Sequence, residues 1–124
     1  MSLSKKLTIF VQNRYICFMS KNDKILQMII QVVDKTAPDS EVYLYGSQAR
    51  GNAHNLSDWD LLVLLDQPNV PFEFKKRFID EFYELELETG EIFSPLIYSK
   101  SDWNSNYIIT PLFENIKREG VKLK

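Results

Sequence analysis

The chain has 124 residues, 44% of them hydrophobic and 26% charged, which suits one domain with a core of its own. Its formal net charge is −2 and its sequence pI about 5.4, which argues against a broad basic surface for nucleic acid or an anionic membrane. One cysteine, Cys17, and one histidine, His54, exclude a disulfide framework and a cysteine- or histidine-rich zinc site within the chain. They fit a reducing cytoplasm.

No apolar run approaches the roughly 20 residues of a membrane span. The first 19 residues carry two apolar pieces, "LTIFV" and "YICFM", split by "QNR". That stretch lacks the unbroken apolar core and cleavage site of a signal peptide. It reads as an added strand or helix, so residues 1–21 are taken as an extension and residues 22–124 as the domain. Residues 23–35 place Ile25, Leu26, Met28, Ile29, Ile30, Val32 and Val33 at helical spacing, with Asn22 as the expected N-cap. "TAPDS" ends that helix at Pro38. "EVYLYG" predicts a short strand, its Tyr43 and Tyr45 ordinary strand residues, and "SQAR" one helical turn. "GNAHNLS" is turn chemistry. "DWDLLVLLD" predicts a second strand, stopped by Gln67, Pro68 and Asn69. Over residues 72–88, Phe74, Phe78, Ile79, Phe82 and Leu85 form one helical stripe, ended by Gly90. "EIFSPLIYS" predicts a third strand that Pro95 moves toward an edge. A short helix follows over residues 102–106. Thr110 then caps a last helix that opens on Pro111 and stops at Gly120. Helix and strand alternate, which gives an α/β or α+β domain with a small sheet.

The chemistry concentrates in residues 42–65. On a strand, Asp58 and Asp60 leave the same face and Trp59 the other. Two neighbouring carboxylates repel unless a cation lies between them, and an all-oxygen donor set suits Mg²⁺ or Mn²⁺. Gly46 lets backbone approach a phosphate closely. Ser47 adds a hydroxyl and free N–H groups at the start of a helical turn. Arg50 adds a forked donor for phosphate oxygens, and Gly51 turns the chain back. Asp-x-Asp alone is common at strand ends, and Gly-Ser alone is weaker. Their combination at this spacing points to a site for a metal-bound nucleotide.

The stretches "LYGSQARG" and "SDWDLLV" resemble the nucleotidyltransferase superfamily that includes DNA polymerase β, and within it the minimal nucleotidyltransferases. The resemblance is specific over residues 42–65 and extends in element order over most of residues 22–120. It implies a small mixed sheet flanked by helices. It also implies transfer of a nucleoside monophosphate from a nucleoside triphosphate, ATP first, to a hydroxyl of a protein or small molecule. Gly46 and Ser47 would hold the triphosphate, Arg50 would add a phosphate contact, and Asp58 and Asp60 would be catalytic and bind Mg²⁺ or Mn²⁺. Such proteins are often paired with a HEPN-domain partner in toxin–antitoxin modules. Homo-oligomers are compatible with the sequence, whereas a nucleic-acid partner is not expected.

The family carries a third carboxylate on the next core strand. Here "EIFSPLIYS" offers Ser94 and Pro95 in its middle, Glu91 at its start, and Glu86 and Glu88 ahead of it. An enzyme and a catalytically weakened binding or regulatory subunit therefore both remain open. His54 is expected to face solvent in the spacer loop. Lys75, Lys76 and Arg77 are expected on a solvated face, as are Glu81, Glu84, Glu86 and Glu88. Trp103 and Tyr107 are expected to pack. Phe72, Phe74, Phe78, Phe82 and Phe93 are expected in the core, and any that lie exposed would mark a partner surface.

Overall fold

The computed structural model describes residues 20–54 and 56–124, so the reading of residues 1–19 lies outside it. The elements run α1 (Lys21–Thr36), β1 (Glu41–Tyr45), α2 (Gly46–Arg50), β2 (Trp59–Leu65), α3 (Phe72–Thr89), β3 (Phe93–Ser99), α4 (Lys100–Asn106), α5 (Pro111–Glu119) and β4 (Val121–Lys122). The strands form one mixed sheet in the order β3-β2-β1-β4. β1 pairs antiparallel with β2 and β4, and β2 pairs parallel with β3 through the α3 crossover. The alternation of patterns predicts an α/β or α+β domain with a small sheet, the resemblance implies a mixed sheet flanked by helices, and the structure has both features.

Period-two alternation divides the side chains between two layers. One face of β2 carries Trp59, Leu61, Val63 and Leu65, which join Val42, Leu44, Phe93 and Ile97 beneath α1 and α3. The other face carries Leu62 and Leu64, covered by Trp103 of α4 and Ile116 of α5, with Tyr43, Tyr45, Leu96 and Tyr98 beside them. β2 is therefore apolar on both faces, as a central strand clad on two sides must be. α1 and α3 run antiparallel, since Lys21 pairs with Glu91 at one end and Lys35 with Glu81 at the other.

The boundaries depart from the sequence reading in small ways. Ser20, not Asn22, caps α1 and accepts from the Asp23 N–H at 3.2 Å, so the helix starts two residues earlier. Thr110 caps α5 with Pro111 at its first position, as expected. Ser99 caps α4 two residues before its predicted start. The sequence reading lacks β4, where Val121 and Lys122 pair with Leu44 and Tyr43. Of the phenylalanines expected in the core, Phe78, Phe82 and Phe93 are buried and Phe74 packs against them. Phe72 is 71% exposed and Ile79 52%, so two residues expected to pack face outward.

Candidate functional site

β1 ends at Tyr45, and Gly46 follows at φ +74°, the left-handed region that favours glycine. That conformation turns the chain into the single turn of α2, whose first side chain is Ser47. Gly51, at φ +78°, closes the turn and returns the chain toward β2. A loop follows in which the Ser57 hydroxyl accepts from the His54 N–H at 2.9 Å and the Gln48 amide donates to the Ser57 carbonyl at 3.3 Å. His54 is exposed there, and Leu56 N–H donates to its Nδ1 at 3.4 Å. The loop delivers Asp58 just ahead of β2 and Asp60 within it.

The two carboxylates sit where three strands meet. Asp60 pairs in register with Tyr45 on one side and Ser94 on the other. Trp59, between the two aspartates, is buried in the opposite layer, so the alternation read from the sequence holds. Gly46 is packed onto Asp60 itself. A β-carbon at Gly46 would lie 3.2 Å from Asp60 Cγ and closer still to its Oδ2. The turn at Gly46 and the strand that carries Asp60 are thus packed closely together.

Electrostatics mark Asp60 as the strained member. Burial raises its pKa above the ordinary 3.8, the charge of Asp58 raises it further, and Arg50 offsets part of this. Tyr45 is pushed up to about 12 by burial first, then by the charge of Asp60, then by Tyr98. Asp58 Oδ2 accepts a hydrogen bond from the Ser94 hydroxyl at 3.1 Å. Arg50 donates from one guanidinium nitrogen to Glu119 of α5 at 3.1 Å, so it is anchored beside the carboxylates and not aimed solely at them.

Among the described residues no third acid joins the pair. Glu91 is engaged with Lys21 at 3.4 Å, and Glu86 accepts from the Phe93 N–H at 3.0 Å. Ser94, which pairs with Asp60, holds the place on β3 where a third carboxylate would approach the other two. Among the described residues no group of three or more histidines, cysteines, aspartates and glutamates is placed to hold a metal. The donor set fits one hard cation that takes its remaining ligands from water and substrate phosphates.

The structure places Gly46, Arg50 and Asp58 beside Asp60, with Ser47 next in the turn after Gly46. The sequence reading misses Tyr45 beside Asp60 and Glu119 against Arg50. Tyr45 was legible as a strand residue, but its partner depends on the β1–β2 register. Glu119 lies 69 residues from Arg50, and no local pattern announces that pairing.

Among the described residues no helix is long and apolar enough to cross a membrane. A search of curated proteins finds no match to this sequence. Solved structures share the fold. A crystal structure of a toxin–antitoxin with AMP-PNP superposes with a TM-score of 0.59 at 18% identity, covering 80% of this chain and 72% of that one. A mutant of the toxin–antitoxin MntA-HpeT gives 0.56 at 18% identity, over 86% and 73%. A structure described as a minimal nucleotidyltransferase gives 0.53 at 23% identity, over 79% and 88%. By sequence, residues 26–111 match the nucleotidyltransferase domain family, a span that contains Gly46, Ser47, Arg50, Asp58 and Asp60, and the chain belongs to that family.

Proposed function

We propose that this domain transfers a nucleoside monophosphate from a Mg²⁺-bound nucleoside triphosphate, ATP first, to a hydroxyl of a protein or small molecule. The contact between Gly46 and Asp60 carries the reading. It joins a backbone turn able to accept phosphate to a carboxylate whose ionisation is opposed by burial and by Asp58. In this reading the Gly46–Ser47 turn and the Ser47 hydroxyl bind the triphosphate, with Arg50 at its edge. Asp58 and Asp60 would hold Mg²⁺ or Mn²⁺, which would supply positive charge to neutralise the phosphates. The acceptor oxygen attacks the α-phosphorus, the bond to pyrophosphate breaks, and the acceptor proton passes to a base.

The fold shared with toxin–antitoxin structures supports a protein partner of that kind, and the resemblance to minimal nucleotidyltransferases adds the narrower reading of this chain as the antitoxin and a HEPN-like protein as its partner. A formal net charge of −2 is compatible with that role. One observation favours a second reading, a nucleotide-binding regulatory subunit with weakened catalysis. Ser94 stands where the family carries its third acid, and Glu86 and Glu91 are engaged elsewhere. Loss of a general base costs about 10²–10⁴ in rate.

Calorimetry with Mg²⁺–ATP, beside an Asp60→Asn variant, tests the shared premise. Binding that requires the metal and fails in the variant supports a nucleotide site, and labelled ATP with the co-encoded partner then separates the two readings. Absence of binding with every common triphosphate would overturn both.

A further inference from the structure

A cavity of about 300 Å³ opens between α4 and α5, over the sheet face that carries Leu62 and Leu64. Those two leucines of β2 lie at its base. Tyr43 of β1, Trp103 of α4 and Phe113 of α5 wall it. The wall is preformed, because the Trp103 ring is held 5.7 Å from Tyr98, 5.7 Å from Tyr107 and 5.2 Å from Phe113. A space of this size, enclosed by apolar and aromatic side chains with a few polar groups at its mouth, suits a molecule of one or two rings. Gly46, Ser47, Arg50, Asp58 and Asp60 are not among its lining residues.

The mouth sets the charge of the ligand. Glu41 lies there, but it is already held by Lys122 at 3.2 Å and Lys100 at 3.8 Å. Lys117 also lies there, exposed on α5, and has no carboxylate partner among the described residues. Three ammonium groups thus meet one carboxylate, a local excess of positive charge on a chain whose net charge is −2. Asn104 adds a carboxamide that can donate to a second oxygen. A cationic amine would be repelled at this mouth, and a neutral ring would leave Lys117 unused.

We propose that the cavity between α4 and α5 is a binding site for a small aromatic carboxylate, its ring enclosed by Tyr43, Trp103 and Phe113 and its anionic group paired with Lys117. The proposal does not depend on the nucleotide reading.

The test titrates 2-naphthoate into the full chain and follows the amide and indole NMR signals. The chain has two tryptophans, and only Trp103 lines the cavity, whereas Trp59 is buried in the opposite layer. A saturable shift of the Trp103 indole N–H and of the Asn104 and Lys117 amides is expected below about 5 mM, with the Trp59 indole unmoved. The neutral 2-naphthamide should bind about threefold or more weaker. Lys117→Glu alters an exposed side chain and leaves the core intact. It should weaken 2-naphthoate about fivefold or more and leave 2-naphthamide within about twofold. No saturable shift, a Trp59 shift in step with that of Trp103, or equal affinities for the two ligands would overturn the proposal. So would a 2-naphthoate affinity that Lys117→Glu leaves unchanged, or displacement of 2-naphthoate by Mg²⁺–ATP, which would assign the cavity to the nucleotide.

Discussion

Replacing Gly46 with alanine sets the backbone of the turn against the carboxylate of Asp60. Two costs follow. An alanine at φ +74° pays about 1 kcal/mol for the left-handed conformation. Its β-carbon would also lie 3.2 Å from Asp60 Cγ and nearer to Oδ2, so the carboxylate must leave its rotamer or the strand must shift, at about 1 kcal/mol more. Gly51 supplies the control, because it has φ +78° with nothing near the position of an added β-carbon. Gly51→Ala should therefore carry the conformational cost alone. By urea denaturation with a slope of about 2 kcal/mol/M, the midpoint should fall by roughly 1 M for Gly46→Ala and roughly 0.5 M for Gly51→Ala. In an Asp60→Ala background the clash is gone, and the cost of Gly46→Ala should drop to that of Gly51→Ala, a coupling of about 1 kcal/mol. Mg²⁺–ATP affinity should fall at least about tenfold in Gly46→Ala, since the displaced carboxylate is the expected metal ligand. Equal costs for the two glycine substitutions, or a Gly46→Ala cost indifferent to Asp60, would refute the claim that the two strand ends are packed onto each other.

Burial and Asp58 raise the pKa of Asp60, so the folded protein binds this proton more tightly than the unfolded chain. That contribution is full below the unfolded value near 3.8 and is lost as pH rises through the folded one. With divalent ions chelated, the urea midpoint of the native protein should therefore fall between about pH 4 and neutrality by more than that of Asp60→Asn. Ser94→Asp should place a third carboxylate beside the other two. It should destabilise the metal-free protein by about 1 kcal/mol, tighten Mn²⁺ binding, and raise any transfer rate by about 10²-fold, read by urea titration, metal titration and labelled product. Glu119→Gln should cost under about 1 kcal/mol by urea titration, because its ion pair with Arg50 is half-exposed, and should leave Mg²⁺–ATP affinity equal or higher by freeing the guanidinium. Arg50→Gln should lower that affinity and raise the carboxyl pKa of Asp60 further, read by calorimetry and by carboxyl chemical shifts against pH.

The sequence was most informative where a local pattern decides the structure. The alternation of Asp58, Trp59 and Asp60 fixes which face each side chain takes, and the apolar run after it reads as a strand, which the structure covers on both sides. Thr110 and Pro111 announce a helix start through two independent constraints on one backbone position. Legibility failed where the deciding partner is distant. β4 has two residues, too few for a period, and exists because β1 offers an open edge beside Leu44 and Tyr43. Ile79 fits the α3 stripe by spacing alone, but the arc that the helix buries holds Phe78, Phe82 and Leu85, and Ile79 falls outside it.

The same distinction governs the site. Gly46, Ser47, Asp58 and Asp60 are visible because one short segment carries them all. The missing third acid is legible too, since "EIFSPLIYS" offers Ser94 and Pro95 in its middle, but which of them faces the aspartates is decided by the register of β3. Ser94 then lies opposite Asp60 and donates to Asp58, so its hydroxyl occupies by hydrogen bonding a place that a carboxylate would contest by repulsion. A serine there relieves the crowding of negative charge that three acids create and keeps Asp58 oriented without a metal. It also withholds the ligand and base that a third acid would provide. Stability of the empty site and turnover of the loaded one therefore pull in opposite directions at this one position, and the Ser94→Asp variant measures both on the same protein.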